Sequence, residues 1–145
     1  MKNLSKVLAV VLAFAMALSM VSFAAYSDVE AGADCEEAVT VLSALGVLSG
    51  YEDGTFKPEA TITRAEFASV VIRMLGYGDI AGGGAVIFTD VPADHWANGV
   101  IALANQQGII SGYGNGAFGP NDPVTVEQAT AMVVRALGYT PMADA

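Results

Sequence analysis

The chain has 145 residues, of which 54% are hydrophobic, and its 15 acidic residues outnumber six lysines and arginines for a net charge of −9. That acidity argues against nucleic acid as a partner. One cysteine, Cys35, excludes an intramolecular disulfide, and one histidine, His95, leaves little for a metal site.

Residues 1–24 have the form of a secretory signal peptide. Lys2 and Lys6 give a positive start, Val7 to Met20 is almost wholly apolar, and Ser22-Phe23-Ala24 offers a small-x-small cleavage site. The apolar run is short for a bilayer span and ends without a positive stop, so no membrane association is expected after cleavage. Removing this segment leaves Lys57, Arg64, Arg73 and Arg135 against fifteen carboxylates, a net charge of −11. Acidity of that kind is first a solubility feature of a secreted protein; calcium storage is the sharper and weaker alternative. Asp34 stands before Cys35 where a lipid-attachment signal needs a small residue, so the thiol is expected to serve as a small helix residue.

Shifted by 62 residues, the chain matches itself without a gap: 26–77 lies over 88–139 with sixteen of fifty-two positions identical. A repeated supersecondary unit implies stacking modules with binding surfaces between them. Two units of about fifty residues cannot each bury a large core, so they are expected to depend on one another. The organisation that follows is a leader at 1–24, a first repeat at 25–77, a Gly-rich linker at 78–87 centred on Gly82-Gly83-Gly84, a second repeat at 88–139 and a tail at 140–145.

Each unit is predicted to be all-α: an entry segment, a helix, a Gly-rich turn and a second helix. In the first repeat the first helix carries Cys35, Ala38, Val41, Leu42 and Leu45 at helical spacing and ends at Gly46. Its counterpart starts near Asp94 as N-cap, carries Trp96, Gly99, Val100, Leu103 and Ala104, and ends at Gly108. The intervening segments contain Asp53-Gly54 and Asn115-Gly116, dipeptides that tolerate positive φ. They lack the alternating carboxylates of an EF-hand calcium loop. The second helices open with Thr63-Arg64-Ala65-Glu66 and Thr125-Val126-Glu127-Gln128, which have the spacing of capping boxes. Apolar stripes follow at Phe67, Val70, Val71, Met74 and Leu75, and at Ala129, Met132, Val133, Ala136 and Leu137.

Core packing accounts for these stripes but not for Arg64. A cation at the first helical position opposes the positive helix end at a cost of roughly 0.3–1 kcal/mol, so it either points into water or meets an anion. A guanidinium beside free backbone N–H groups forms a carboxylate or phosphate site; an ordinary solvated arginine is the other reading. Arg73 and Arg135, late in their helices, complement the dipole.

No enzyme is expected. No serine lies in a nucleophile-elbow pattern, Cys35 has no partner base, and Glu36-Glu37 point to different sides of a helix as solvated residues do. No cofactor and no metal are expected either.

The residues resemble the S-layer homology family. Phe88-Thr89-Asp90-Val91, Trp96-Ala97 and Gly108-Ile109-Ile110-Ser111-Gly112-Tyr113 are similar to the opening half of that repeat. Gly50 to Pro58 followed by Ile62-Thr63-Arg64-Ala65-Glu66-Phe67 is similar to its closing half, with the Thr-Arg-Ala-Glu signature. The resemblance implies helical repeats that form part of a pseudo-threefold bundle and anchor an exported protein to the bacterial cell wall. The implied partner is a secondary cell-wall polysaccharide, often carrying a pyruvate ketal, bound in grooves between repeats. By that resemblance Arg64 pairs with the ketal carboxylate and Trp96 forms an apolar wall for the sugar, although Trp96 also suits the core. Asp34 stands at the position of Trp96 in the first repeat and Val126 at that of Arg64 in the second, so one complete site requires a groove that joins the two repeats. A third repeat is missing; a longer chain, its loss, or self-association that fills the open side would each account for that. The alternative function is a surface-layer or scaffold component acting through protein–protein self-association.

Overall fold

The computed structural model describes residues 26–78 and 83–139. The expected leader at 1–24, linker residues 79–82 and the tail at 140–145 therefore lie outside the described residues. Four α-helices and no strand are present among those described: α1 (Glu36–Ala44), α2 (Arg64–Met74), α3 (Asn98–Gln106) and α4 (Val126–Ala136). The 62-residue offset carries α1 onto α3 and α2 onto α4, residue for residue.

The helix ends follow from local chemistry. Thr63 accepts the Glu66 N–H at 3.2 Å while Glu66 accepts the Thr63 N–H at 2.8 Å, and Thr125 and Gln128 exchange the same two bonds at 3.3 Å. Both are capping boxes that satisfy end groups the helices cannot pair internally. Gly46 and Gly108 take left-handed φ of 70° and 71° where α1 and α3 end.

The first helix of the second repeat begins later than its sequence suggests. Asp94 does not cap it; the cap is Ala97, and residues 92–98 form turns in which His95 N–H donates to Pro92 and Asn98 N–H to His95. Trp96 therefore lies outside the helix, 54% exposed, with its ring 5.8 Å from that of His95. It is not a core residue.

Packing centres on α2. It lies against α3 and α4, whereas α1 packs against none of the other helices. Ala65, Ala68, Val71 and Ile72 of α2 join Val100, Ile101 and Ala104 of α3, with Phe88, Phe118 and Met132, in one core. Alanines at the crossing let the helices approach closely, and full burial of Ile72 and Ile101 is worth about 1.5–3 kcal/mol each. The buried face of α2 thus differs from its expected stripe: Met74 and the C-cap residue Leu75 are exposed, and so are Val41 of α1 and the C-cap residues Leu45 of α1 and Leu137 of α4. An apolar stripe is buried only where a neighbour covers it; α1 has no helix against it, and α4 is covered on the α2 side alone.

The units are joined at the start of α2. Arg64 N–H donates to Asp122 O at 2.9 Å and Ala65 N–H to Pro120 O at 3.1 Å, while Val124 N–H donates back to Ile62 O at 3.0 Å. A bridge at Thr63 and Pro123 completes the seam.

Candidate functional site

Within each repeat an aspartate near the entry ties the turn to the rest of the unit. Asp28 accepts the N–H groups of Phe56 and Lys57, both at 2.7 Å, and Asp90 accepts those of Phe118 at 2.8 Å and Gly119 at 2.7 Å. The Phe56 N–H foremost holds the Asp28 carboxyl below its ordinary value. Burial pushes Asp90 upward, but the two N–H bonds outweigh it and its carboxyl also sits low. The clamped turns then position Tyr51 and Tyr113, both about half exposed, beside the second helices.

Two grooves result, and they are related by the repeat. Groove one, about 410 Å³, lies between Ser49, Gly50, Tyr51 and Lys57 on the turn side and Glu66, Ser69, Val70 and Arg73 on α2, with Trp96 reaching in from the second repeat. Groove two, about 340 Å³, lies between Ser111, Gly112, Tyr113 and the α4 residues Glu127, Gln128, Ala131 and Arg135, with Arg64 reaching in from the first repeat. Ser49, Gly50, Tyr51 and Arg73 map onto Ser111, Gly112, Tyr113 and Arg135 at the same offset. Close approach of the turn needs its glycines: a Cβ on Gly112 would stand 2.5 Å from Ala117 O and 2.6 Å from the Phe88 ring.

Arg64 neither points into water nor stands beside free N–H groups. It is 4% exposed; Nε donates to Phe118 O at 2.9 Å and Nη2 to Ser111 O at 3.2 Å. Its guanidinium lies 4.7 Å from the Tyr113 ring centroid and 4.6 Å from that of Phe118. The N–H groups at the start of α2 are taken by Asp122, Pro120 and Thr63. Tyr113 in turn donates to Asp122 at 2.8 Å, and burial first, with Asp122 second, raises its phenol. Two of the five guanidinium donors are thus spent on joining the repeats.

The single groove expected to combine Arg64 with Trp96 does not form. Arg64 projects forward from the start of α2 onto the turn of the second repeat, while Trp96 projects back from the turn before α3 onto the first. Each lines a groove that the other does not enter. Cys35 is the N-cap residue of α1 and offers no side-chain cap, and no cluster of potential metal ligands occurs among the described residues.

Sequence reasoning passed over Lys57. It is the one non-glycine residue with positive φ among those described, at 58°, a conformation that costs an L-residue roughly 1–2 kcal/mol. Its Nζ lies 4.0 Å from the Tyr51 ring centroid and 3.4 Å from Asp53 Oδ2. The available signal was the alignment of the two repeats, which places Gly119, φ 73°, at the same position.

Comparison with known proteins agrees with this architecture. The model of the S-layer homology domain matches residues 25–68 and 87–130. A cell surface protein of Thermoanaerobacter kivui is 44% identical over 96% of the chain and 19% of its own length. The middle cell wall protein of Brevibacillus brevis is 37% identical over 95% of the chain and 14% of its own length, and a cellulosome-anchoring protein of Acetivibrio thermocellus is 38% identical over 54% and 18% respectively. The chain spans less than a fifth of the length of these relatives. Twin helical units in one register, each with its capping box and its aspartate-clamped turn, and a family match over both, show that the chain belongs to the S-layer homology domain family.

Proposed function

We propose that this chain holds an exported protein at the bacterial cell surface by binding secondary cell-wall polysaccharide non-covalently in its two grooves, with residues 1–24 acting as the secretory leader. The observation that carries this is the placement of charge. Beyond the leader the chain has four cations, and all four line the grooves: Lys57 and Arg73 in groove one, Arg64 and Arg135 in groove two. A molecule of net charge −11 that gathers its positive groups into two clefts, each beside a tyrosine, is suited to a glycan with sparse negative charge. A pyruvate ketal, which puts one carboxylate on a sugar, fits that description. Trp96 supplies a flat apolar wall in groove one and Arg64 a fixed positive charge in groove two, so the two residues serve separate sites. The relatives named for the cell wall, the cell surface and cellulosome anchoring are consistent with this role. The binding is non-catalytic and needs no cofactor.

The test is sedimentation of the protein with purified cell walls before and after the secondary polymer is stripped by mild acid. The protein is expected to pellet with intact walls and stay in solution with stripped ones. Trp96→Ala, at an exposed position, weakens pelleting about tenfold with folding unchanged. Undiminished binding to stripped walls, or self-association without walls that accounts for all the pelleted protein, would overturn the reading.

A further inference from the structure

Lys57 and Asp53 form an ion pair on the rim of groove one that the second repeat lacks. The corresponding positions there are Gly119 and Asn115, and the turn forms without either charge. Asn115 Oδ1 accepts the Ala117 N–H at 3.1 Å as Asp53 Oδ1 accepts the Thr55 N–H at 3.0 Å, and the main-chain N–H of residue 119 meets its clamping aspartate just as that of residue 57 does. Neither the lysine nor the negative charge is therefore required by the backbone, and glycine suits the left-handed φ of 58° better than lysine. A strained side chain kept where the sister unit has relaxed to glycine points to use of that side chain. The Lys57 side chain is 44% exposed and lines the groove, and its ammonium lies 3.4 Å from Asp53 Oδ2, its one ion-pair partner among the described residues.

We infer that Lys57 is the anion-binding residue of groove one, recognising a carboxylate on a sugar that rests against Tyr51 and Trp96, and that Asp53 occupies the ammonium until the ligand displaces it. This rests on the wall-binding reading and adds to it that the grooves are unequal: groove one selects its charge through a lysine held by a competing internal carboxylate, and groove two has no such device.

The experiment is sedimentation of the protein with sacculi purified from Thermoanaerobacter kivui, across a salt series, using native sacculi and sacculi whose carboxyls have been amidated. Lys57→Gly, with Lys57→Asn as a second variant that also tolerates positive φ, is expected to weaken binding about two- to fivefold, the range of a half-exposed ion pair, and to reduce its salt dependence while melting no earlier than the parent. Asp53→Asn, which keeps the turn bond, is expected to tighten binding by a similar factor. Amidation of the sacculi should erase the difference between the parent and Lys57→Gly. If both Lys57 variants bind like the parent, or if Asp53→Asn weakens binding as Lys57→Gly does, the pair is structural and this inference fails while wall binding stands. A difference that survives amidation overturns the choice of a carboxylate. Failure of the parent itself to sediment overturns the wall-binding reading and this inference with it.

Discussion

Helices α1 and α3 are the same element in two copies, yet α3 buries Asn98, Gly99, Val100, Ile101 and Ala104 while α1 buries only Val39. The second helices differ in the opposite sense: α2 buries six residues and α4 only Met132. The inner pair, α2 and α3, belongs to different repeats, and the outer pair consists of the remaining halves. Burial in this protein is thus a property of the junction between units and not of the unit, as expected when stability is carried by nearest-neighbour interfaces. The same junction decides the chemistry, because it sends Arg64 into one groove and Trp96 into the other.

The two residues at the start of the second helices should differ most in their effect on stability. Arg64→Ala removes a buried guanidinium from two carbonyls and two rings and should cost about 3 kcal/mol in urea denaturation. Val126→Ala, at the corresponding but 80% exposed position, should change stability by less than about 0.5 kcal/mol. Equal losses would mean that the junction is not the source of stability. Loss of wall binding by Arg64→Ala is meaningful only under conditions in which the variant remains folded.

A smaller effect separates the two aspartate clamps. Asp90 ties the turn that packs on the core, so Asp90→Ala should cost about 1–3 kcal/mol through two unpaired N–H groups; Asp28→Ala, on the outer turn, should cost less. Both carboxyls are held below their ordinary value of 3.8. A depressed folded pKa contributes stability that is complete above the unfolded value and disappears as pH falls through the folded one. Acid titration of unfolding should therefore show stability falling below about pH 4, and Asp90→Asn and Asp28→Asn should each flatten that fall.

Much of the architecture could be read from residues alone because the chain states it twice. Helix order, the glycine stops at Gly46 and Gly108 and the Thr-x-x-Glu/Gln spacing at the helix starts are local signals, and a second copy in register reinforces each. What could not be read is whatever depends on a neighbour. Periodicity marks Val41, Leu45, Met74 and Leu75 as an apolar face but does not say whether anything covers it. Asp94 has the chemistry of an N-cap, yet turns through His95 delay the helix to Asn98. Arg64 showed as an anomaly at a helix start, but its partners, Ser111 and Phe118, lie 47 and 54 residues away. Trp96 and Arg64 looked complementary because each repeat lacks what the other has; the direction in which each projects is a tertiary fact. Lys57 was visible only as a departure from Gly119, a comparison that gains force once the positive φ is known.

We propose that the two clefts between repeats, and no other surface, hold the glycan. Titrating ¹⁵N-labelled protein with solubilised wall polysaccharide and following amide and indole resonances tests it most directly. Shifts are expected to concentrate at Ser49, Gly50, Tyr51 and the Trp96 indole, with a second set at Ser111, Gly112 and Tyr113. Shifts confined to the outer faces of α1 and α4, with both clefts unmoved, would contradict it.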